Sequence, residues 1–151
     1  MSSIALRLAG ADDAEVVATL IEALLRELGE GAAPDPGGLR ATTAAALGAE
    51  AYAIFLAESG GEPVGVMTLE AGLAIYAEGP IGTLRELWVD PRFRSSGLGA
   101  QFIARAREHA RGQGWRRIEV TAPEDPSWIR TVNFYRAVGF RDAGPKLAFV
   151  V

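Results

Sequence analysis

Positions 87–99 read Leu-Trp-Val-Asp-Pro-Arg-Phe-Arg-Ser-Ser-Gly-Leu-Gly, and that order of residue types leaves few options. The apolar run over 84–89 predicts a buried strand, which Asp90-Pro91 ends because proline cannot donate to a ladder. From Leu98 onward, Phe102, Ile103, Ala106 and Ala110 recur at helical spacing until Gly112 and Gly114, predicting a helix over 98–111. Between strand and helix lies a turn with two arginines and, at the helix start, two glycines. Amides at a helix start carry partial positive charge, and glycine lets an anion approach them closely. Arg92 and Arg94 are expected to add full charge. The segment predicts a phosphate cradle.

Several phosphate patterns compete for it. A P-loop needs Lys and Ser/Thr after its last glycine, where Ala100 and Gln101 stand, so that pattern fails. A dinucleotide fingerprint needs a third glycine where Phe102 stands, and Gly97 lies too far beyond Val89. Glu119 does fit its ribose-binding acid tolerably. The pattern Arg/Gln-x-x-Gly-x-Gly/Ala is met by Arg94, Gly97 and Gly99 at every fixed position. The plainest alternative is a glycine turn capping an ordinary helix beside solvated arginines.

With LRELWVDPRFRSSGLG over 84–99, TVNFYRAVGF over 131–140 and IALRLAGADDAEVVATLI near the start, the chain resembles the GNAT superfamily of N-acetyltransferases. The likeness spans essentially all of 1–151, read as a single N-acetyltransferase domain. It implies an α/β fold, a splayed mixed sheet flanked by helices, whose fourth and fifth strands part to admit the pantetheine arm. It implies acetyl-CoA as cosubstrate and no metal. By that resemblance Leu87, Trp88 and Val89 pair with pantetheine through their backbones. Arg94, Ser95, Ser96, Gly97, Leu98, Gly99 and Ala100 wrap the pyrophosphate. The family usually has Gly and then a polar or basic residue after the Arg, where this chain has Ser95 and Ser96.

An amine attacking a thioester needs an unprotonated nitrogen, an oxyanion donor and a proton for the departing thiolate. Strand amides near Val89 could serve the oxyanion. Tyr135 stands where the family's tyrosine general acid lies, and a core aromatic is its other reading. Glu86 is the acid within 84–89 and the candidate base, though some relatives carry theirs one position earlier, where Arg85 stands. Equally, Glu86 could be structural. Asn133 either contacts the coenzyme arm or sits on the helix surface. The Asn that some relatives carry seven positions before the tyrosine is replaced by Trp128. Glu70, Tyr76, Glu78, Glu86 and Trp88 could line an acceptor pocket suited to a cation.

The chain as a whole reads as β-α-α-β-β-β-α-β-α-β-β. A strand is expected over 4–8, then a helix capped by Asp12 with Glu15, carrying Val17, Leu20, Leu24 and Leu28 and closed by Gly29. A loop over 29–38 leads to a short helix over 39–47. Strands over 52–58 and 63–70 make a hairpin, with 71–82 a loop or an edge. Beyond come a strand over 117–121, a helix over 128–138 and final strands at Phe140 and 146–151 around Gly144-Pro145.

The net charge of −4 argues against a nucleic-acid or membrane-surface partner. Without cysteine, disulfides, thiolate metal sites and thiol catalysis are ruled out, and the lone His109 is expected at the surface. Neither a signal core nor a membrane-length apolar run is read, so a cytoplasmic protein is expected. The expected partner is a small-molecule or peptide amine, and a homodimer is possible. The other functional class is a coenzyme A–binding module that transfers nothing.

Overall fold

The sheet is built around a hairpin of β2 (Tyr52–Ser59) and β3 (Glu62–Ala74), paired antiparallel. Its link, Gly60-Gly61, has φ of 58° and 84°, a left-handed pair that glycine adopts without a Cβ penalty. The structure is a computed structural model; it describes residues 3–29, 34–123, 125–144 and 146–151. Strand β1 (Ile4–Leu8) runs antiparallel to β2, and β4 (Gly79–Val89) antiparallel to β3. Strand β5 (Ile118–Val120) completes the order β1-β2-β3-β4-β5. Arg116 N–H donates to Pro80 C=O (2.8 Å) and Gly82 N–H to Arg117 C=O (3.0 Å). Partners advance in the same direction on both strands, so β4 and β5 run parallel and the sheet is mixed.

The helices are α1 (Ala14–Leu28), α2 (Pro36–Leu47), α3 (Leu98–Gln113) and α4 (Ile129–Ala137). Two compact units divide the chain, one up to Glu119 and one from Val120 onward; α4 belongs to the second. In the first, Val17, Leu20 and Ile21 of α1 pack on Ile54, Leu56, Val66 and Trp88. The alternating residues Phe55 and Gly65 face the other way, toward α3. A Cβ on Gly65 would lie 2.9 Å from the Phe102 ring, and that close approach lets α3 sit down on the sheet.

Strand alternation then decides what shares a face. Across the pairs Tyr52↔Glu70, Ile54↔Thr68, Leu56↔Val66, Val66↔Trp88 and Thr68↔Glu86, the α1 side carries a polar group of Tyr52, Thr68, Glu70 and Glu86. After Thr68↔Glu86 the register moves to Leu69↔Leu84. Arg85 is thus an extra residue on β4, a bulge in the middle of the strand.

Several boundaries differ from expectation. The second helix begins at Pro36 because Asp35 accepts Gly38 N–H (2.8 Å) with Pro at the first helical position; residues 30–33 of the expected loop lie outside the described residues. Asp13, not Asp12, organises the first helix start: it takes Gly10 N–H (2.8 Å) and both ends of the Arg7 guanidinium. The 71–82 stretch is the far end of β3, a short turn at Ile75–Ala77 and the beginning of β4. The described residues of 140–151 form no strand, with Leu147, Phe149 and Val150 exposed; Pro145 lies outside them. A strand exists only by pairing, and an apolar run alone does not make one.

Candidate active site

Helix α3 opens after Gly97, whose φ of 88° places it in the left-handed region and which offers no side-chain cap. The amides of Leu98, Gly99 and Ala100 therefore face outward without an intrahelical acceptor. Ser95 is also left-handed, at φ 63°, a conformation costing a non-glycine residue about 1–2 kcal/mol. That is the position where the family usually has Gly. Ser96 closes the turn by donating its hydroxyl to Phe93 C=O. An uncapped helix start reached through a glycine turn fits a pyrophosphate group.

The arginines do something other than expected. Arg92 forks onto the Asp90 carboxylate and reaches Glu62 (2.9 Å), and it holds the Asp90 carboxyl below the usual carboxylate range. Arg94 donates Nε to Val89 C=O (2.9 Å) and Nη2 to Glu27 Oε1 (2.5 Å). Neither is the free cation that the sequence suggests, because carboxylates from β3, α1 and the turn itself lie within reach. The positive character facing outward is that of the helix start.

Leading into this turn, β4 carries Leu87 and Val89 half-buried and Trp88 buried on the α1 side. Strand β5 has three residues against the eleven of β4, too few to accompany it along its length. Glu86 bonds Thr68 twice: the hydroxyl donates to Oε1, and Glu86 N–H donates to Oγ1 (3.0 Å). Burial pushes the Glu86 carboxyl above its usual range, against the opposing pull of Thr68. On the bulge, Arg85 donates Nε and Nη2 to Glu70 Oε1 (3.0 and 2.6 Å). Glu70 is thereby paired, and Glu86 is the carboxylate of this face without a cationic partner bonded to it. Thr68 went unnoticed in the sequence, although its two-residue spacing from Val66 and Glu70 puts it on the same face as both.

The sequence model of the Acetyltransferase (GNAT) family matches residues 17–140. This chain belongs to the GNAT acetyltransferase family. An uncharacterized N-acetyltransferase of Methanocaldococcus jannaschii is 29% identical over 94 residues, 58% of this chain. The match spans 38% of that protein's length. A possible acetyltransferase from Clostridium difficile superposes with TM-score 0.84 at 15% identity, covering 98% of this chain and 97% of that one. The aminoglycoside N-acetyltransferase AAC(6')-Iy in complex with CoA gives 0.83 at 19% identity, covering 100% and 96%. A soil-metagenome aminoglycoside acetyltransferase in complex with sisomicin gives 0.76 at 19%, covering 98% and 95%. At these identities the likeness is one of fold.

The GNAT motif at 131–140 forms most of α4, in the second unit. There Tyr135 is buried, with the Phe134 ring at 5.4 Å and the Phe140 ring edge-on at 5.4 Å. Burial pushes its phenol up to about 12. Asn133 is exposed on the same helix, and Trp128 ends the 3-10 turn before it.

Other GNAT candidates are dispersed. Tyr76 and Glu78 lie on the β3–β4 turn, where the Tyr76 hydroxyl donates to Glu119 (2.6 Å). Glu86 is seven residues into β4 from Gly79, roughly 20 Å away at about 3.3 Å per residue. They do not share a pocket with Glu86 and Trp88. Glu119 is bonded to Tyr76 and paired with Arg117. His109 is half-buried at the surface, its ring packed against Phe55 (5.7 Å) and Trp115 (5.2 Å) at steep angles. Among the described residues no group of three His, Cys, Asp or Glu side chains could hold a metal ion.

Proposed function

We propose that this GNAT chain moves an acetyl group from acetyl-CoA to a primary amine of a small molecule or peptide, by direct attack in a ternary complex. The observation that carries this is the turn over 94–100, an uncapped helix start that fits a pyrophosphate, reached from the half-buried end of β4 through the short turn Pro91–Phe93. The CoA complex of the AAC(6')-Iy neighbour supports the choice of coenzyme. The sisomicin complex supports an amine acceptor. The chain works as one domain, the family match running from 17 to 140 across both units.

In this reading Leu87, Trp88 and Val89 offer backbone groups to pantetheine, and the amides of 94–100 hold the pyrophosphate. The amine nitrogen attacks the thioester carbonyl carbon, and strand amides near Val89 receive the oxyanion. Glu86 takes the amine proton. Collapse of the tetrahedral intermediate breaks the carbon–sulfur bond and releases the thiolate. Tyr135 hydrogen-bonds that sulfur. A phenol near 12 is a weaker acid than a thiol, at about 8.5, so it stabilises the developing charge more than it transfers a proton outright. Asn133 contacts the coenzyme arm.

The acceptor is a cation before it is deprotonated. The uncompensated Glu86 carboxylate, beside the paired Glu70 and Arg85, suits a single ammonium. Among the described residues no helix is long and apolar enough to cross a membrane, which is compatible with a cytoplasmic site of action. The test is a saturable, acceptor-dependent release of thiol from acetyl-CoA; release with no acceptor dependence removes the transferase reading.

A further inference from the structure

We propose that Glu27 is a positioning residue for the coenzyme turn, latching Arg94 so that this arginine shapes the turn and leaves phosphate to the backbone amides. The inference rests on the reading that residues 94–100 bind acetyl-CoA. It assigns a role to a helix α1 residue outside both motifs, and it changes the role of the arginine in the signature itself.

One carboxylate oxygen joins three elements. Glu27 Oε1, in the last turn of α1, accepts the Trp88 indole N–H of β4 (3.2 Å) and Arg94 Nη2 of the turn (2.5 Å). Arg94 Nε is spent on Val89 C=O (2.9 Å), the last carbonyl of β4. A guanidinium is a rigid planar fork, so two partners on neighbouring nitrogens fix its plane and its direction. Here they fix it back across the strand end and onto α1. The same carboxylate satisfies the buried Trp88, whose N–H needs an acceptor.

The neighbouring arginine shows the same logic. Arg92 is forked onto Asp90 and Glu62, tying the start of the turn to β3 as Arg94 ties it to α1. Directly after these two anchors the backbone passes through left-handed Ser95 and Gly97, a path that needs support from outside itself. With both guanidinium groups held by carboxylates, the anion-binding capacity of the turn lies in the first amides of α3. The Val89 carbonyl, taken by Arg94, is likewise withheld from pantetheine, leaving Val89 only its N–H to offer.

The test is calorimetric titration with coenzyme A, together with KM and kcat for acetyl-CoA, on Glu27→Gln, Arg94→Gln, Arg94→Lys and the Glu27→Gln/Arg94→Gln double variant. Each single substitution should weaken coenzyme affinity roughly three- to tenfold, as expected for a partly exposed, charge-assisted contact. KM should rise with kcat unchanged. The double variant should lose no more than either single, because all remove one unit. Arg94→Lys should resemble Arg94→Gln, since an ammonium cannot make the fork. The salt dependence of affinity should be the same in Arg94→Gln as in the original protein.

The latch is overturned if Glu27→Gln tightens coenzyme binding or Arg94→Gln flattens the salt dependence. Either result makes Arg94 a phosphate ligand that Glu27 holds back. Unchanged affinity in all variants overturns it too. Failure of the original protein to bind coenzyme A is a different outcome, and it removes the coenzyme reading of the turn along with the latch. Melting curves confirm that each variant is folded; Arg94→Lys keeps the charge and most of the bulk should Arg94→Gln melt early.

Discussion

Thr68 and Glu86 bond each other twice across the β3–β4 pair, side chain to side chain and Glu86 N–H to the Thr68 hydroxyl oxygen at 3.0 Å. The carboxyl is thereby fixed in direction on the face it shares with Tyr52 and Glu70. Burial raises its pKa, and the Thr68 bond lowers it. A base with a raised pKa is active above that value and is lost as pH falls through it. The acidic limb of kcat/KM should therefore lie above the ordinary glutamate range.

Substitutions at this pair should change the limb in different ways. Glu86→Gln should erase it, with the largest defect near neutral pH and a smaller one at high pH, where the amine deprotonates itself. Thr68→Val removes the bond that lowers the pKa and should shift the limb upward; Thr68→Ser should leave it in place. A pH profile of kcat/KM with one acceptor checks both. An unaltered limb in Glu86→Gln returns this residue to a structural role.

Ser95 offers a substitution that should help. Its left-handed backbone costs about 1–2 kcal/mol, while glycine loses about 0.4–1 kcal/mol more chain entropy on folding. Ser95→Gly should thus be stabilising by roughly 0.5–1 kcal/mol, with coenzyme affinity kept or improved. Ser95→Val should do the reverse, since branched side chains tolerate this region poorly. Thermal melts of the two variants give the answer, and a lower melting temperature for Ser95→Gly contradicts it.

Gly82 is required by packing. A Cβ there would stand 2.1 Å from the Trp115 ring, and that ring also packs T-shaped with His109, centroids 5.2 Å apart. Gly82→Ala should push Trp115 away and cost about 1–3 kcal/mol, the usual scale for overpacking. Urea unfolding followed by tryptophan fluorescence measures the loss. A variant as stable as the original would mean that Trp115 does not cover β4.

The parts of this molecule that could be read from the sequence are those written in local chemistry. The glycine stop at Gly29, with φ 63° and its N–H on Leu25 C=O (3.2 Å), is where the helix pattern put it. The apolar stripe of Leu98, Phe102, Ile103, Ala106 and Ala110 is the buried side of α3. What stayed hidden depends on partners far along the chain. Arg94 looks like a free cation until Glu27, sixty-seven residues away, is seen to hold it. His109 looks fully solvated until Phe55 and Trp115 are seen to flank it. The Arg85 bulge exists only in the register between β3 and β4, and the apolar tail reads as a strand although no described residue pairs with it.

Tyr135 should matter to turnover and little to binding. Its phenol is pushed up to about 12 by burial, so it stays protonated throughout the neutral range, as the proposed hydrogen bond to the departing sulfur requires. General acids are worth about 10²- to 10⁴-fold, and the low end is expected, because a thiolate leaves readily and so buried a phenol is a weak acid. Tyr135→Phe keeps the ring between Phe134 and Phe140. The expected result is a kcat lower by roughly 10²-fold with an unchanged coenzyme dissociation constant; an unchanged kcat makes Tyr135 a packing residue.

The reaction itself can be observed directly. Purified protein is given acetyl-CoA and, in turn, polyamines, aminoglycosides, amino acids and peptide N-termini, while free thiol is followed and the amine product is weighed by mass spectrometry. At least one amine should give saturable release of thiol and an equal amount of its N-acetyl form, accompanied by a rise in melting temperature with acetyl-CoA that NAD does not produce. Stabilisation by acetyl-CoA with no thiol released above buffer, for any amine in the panel, would contradict transfer and leave a module that binds the coenzyme and passes nothing on.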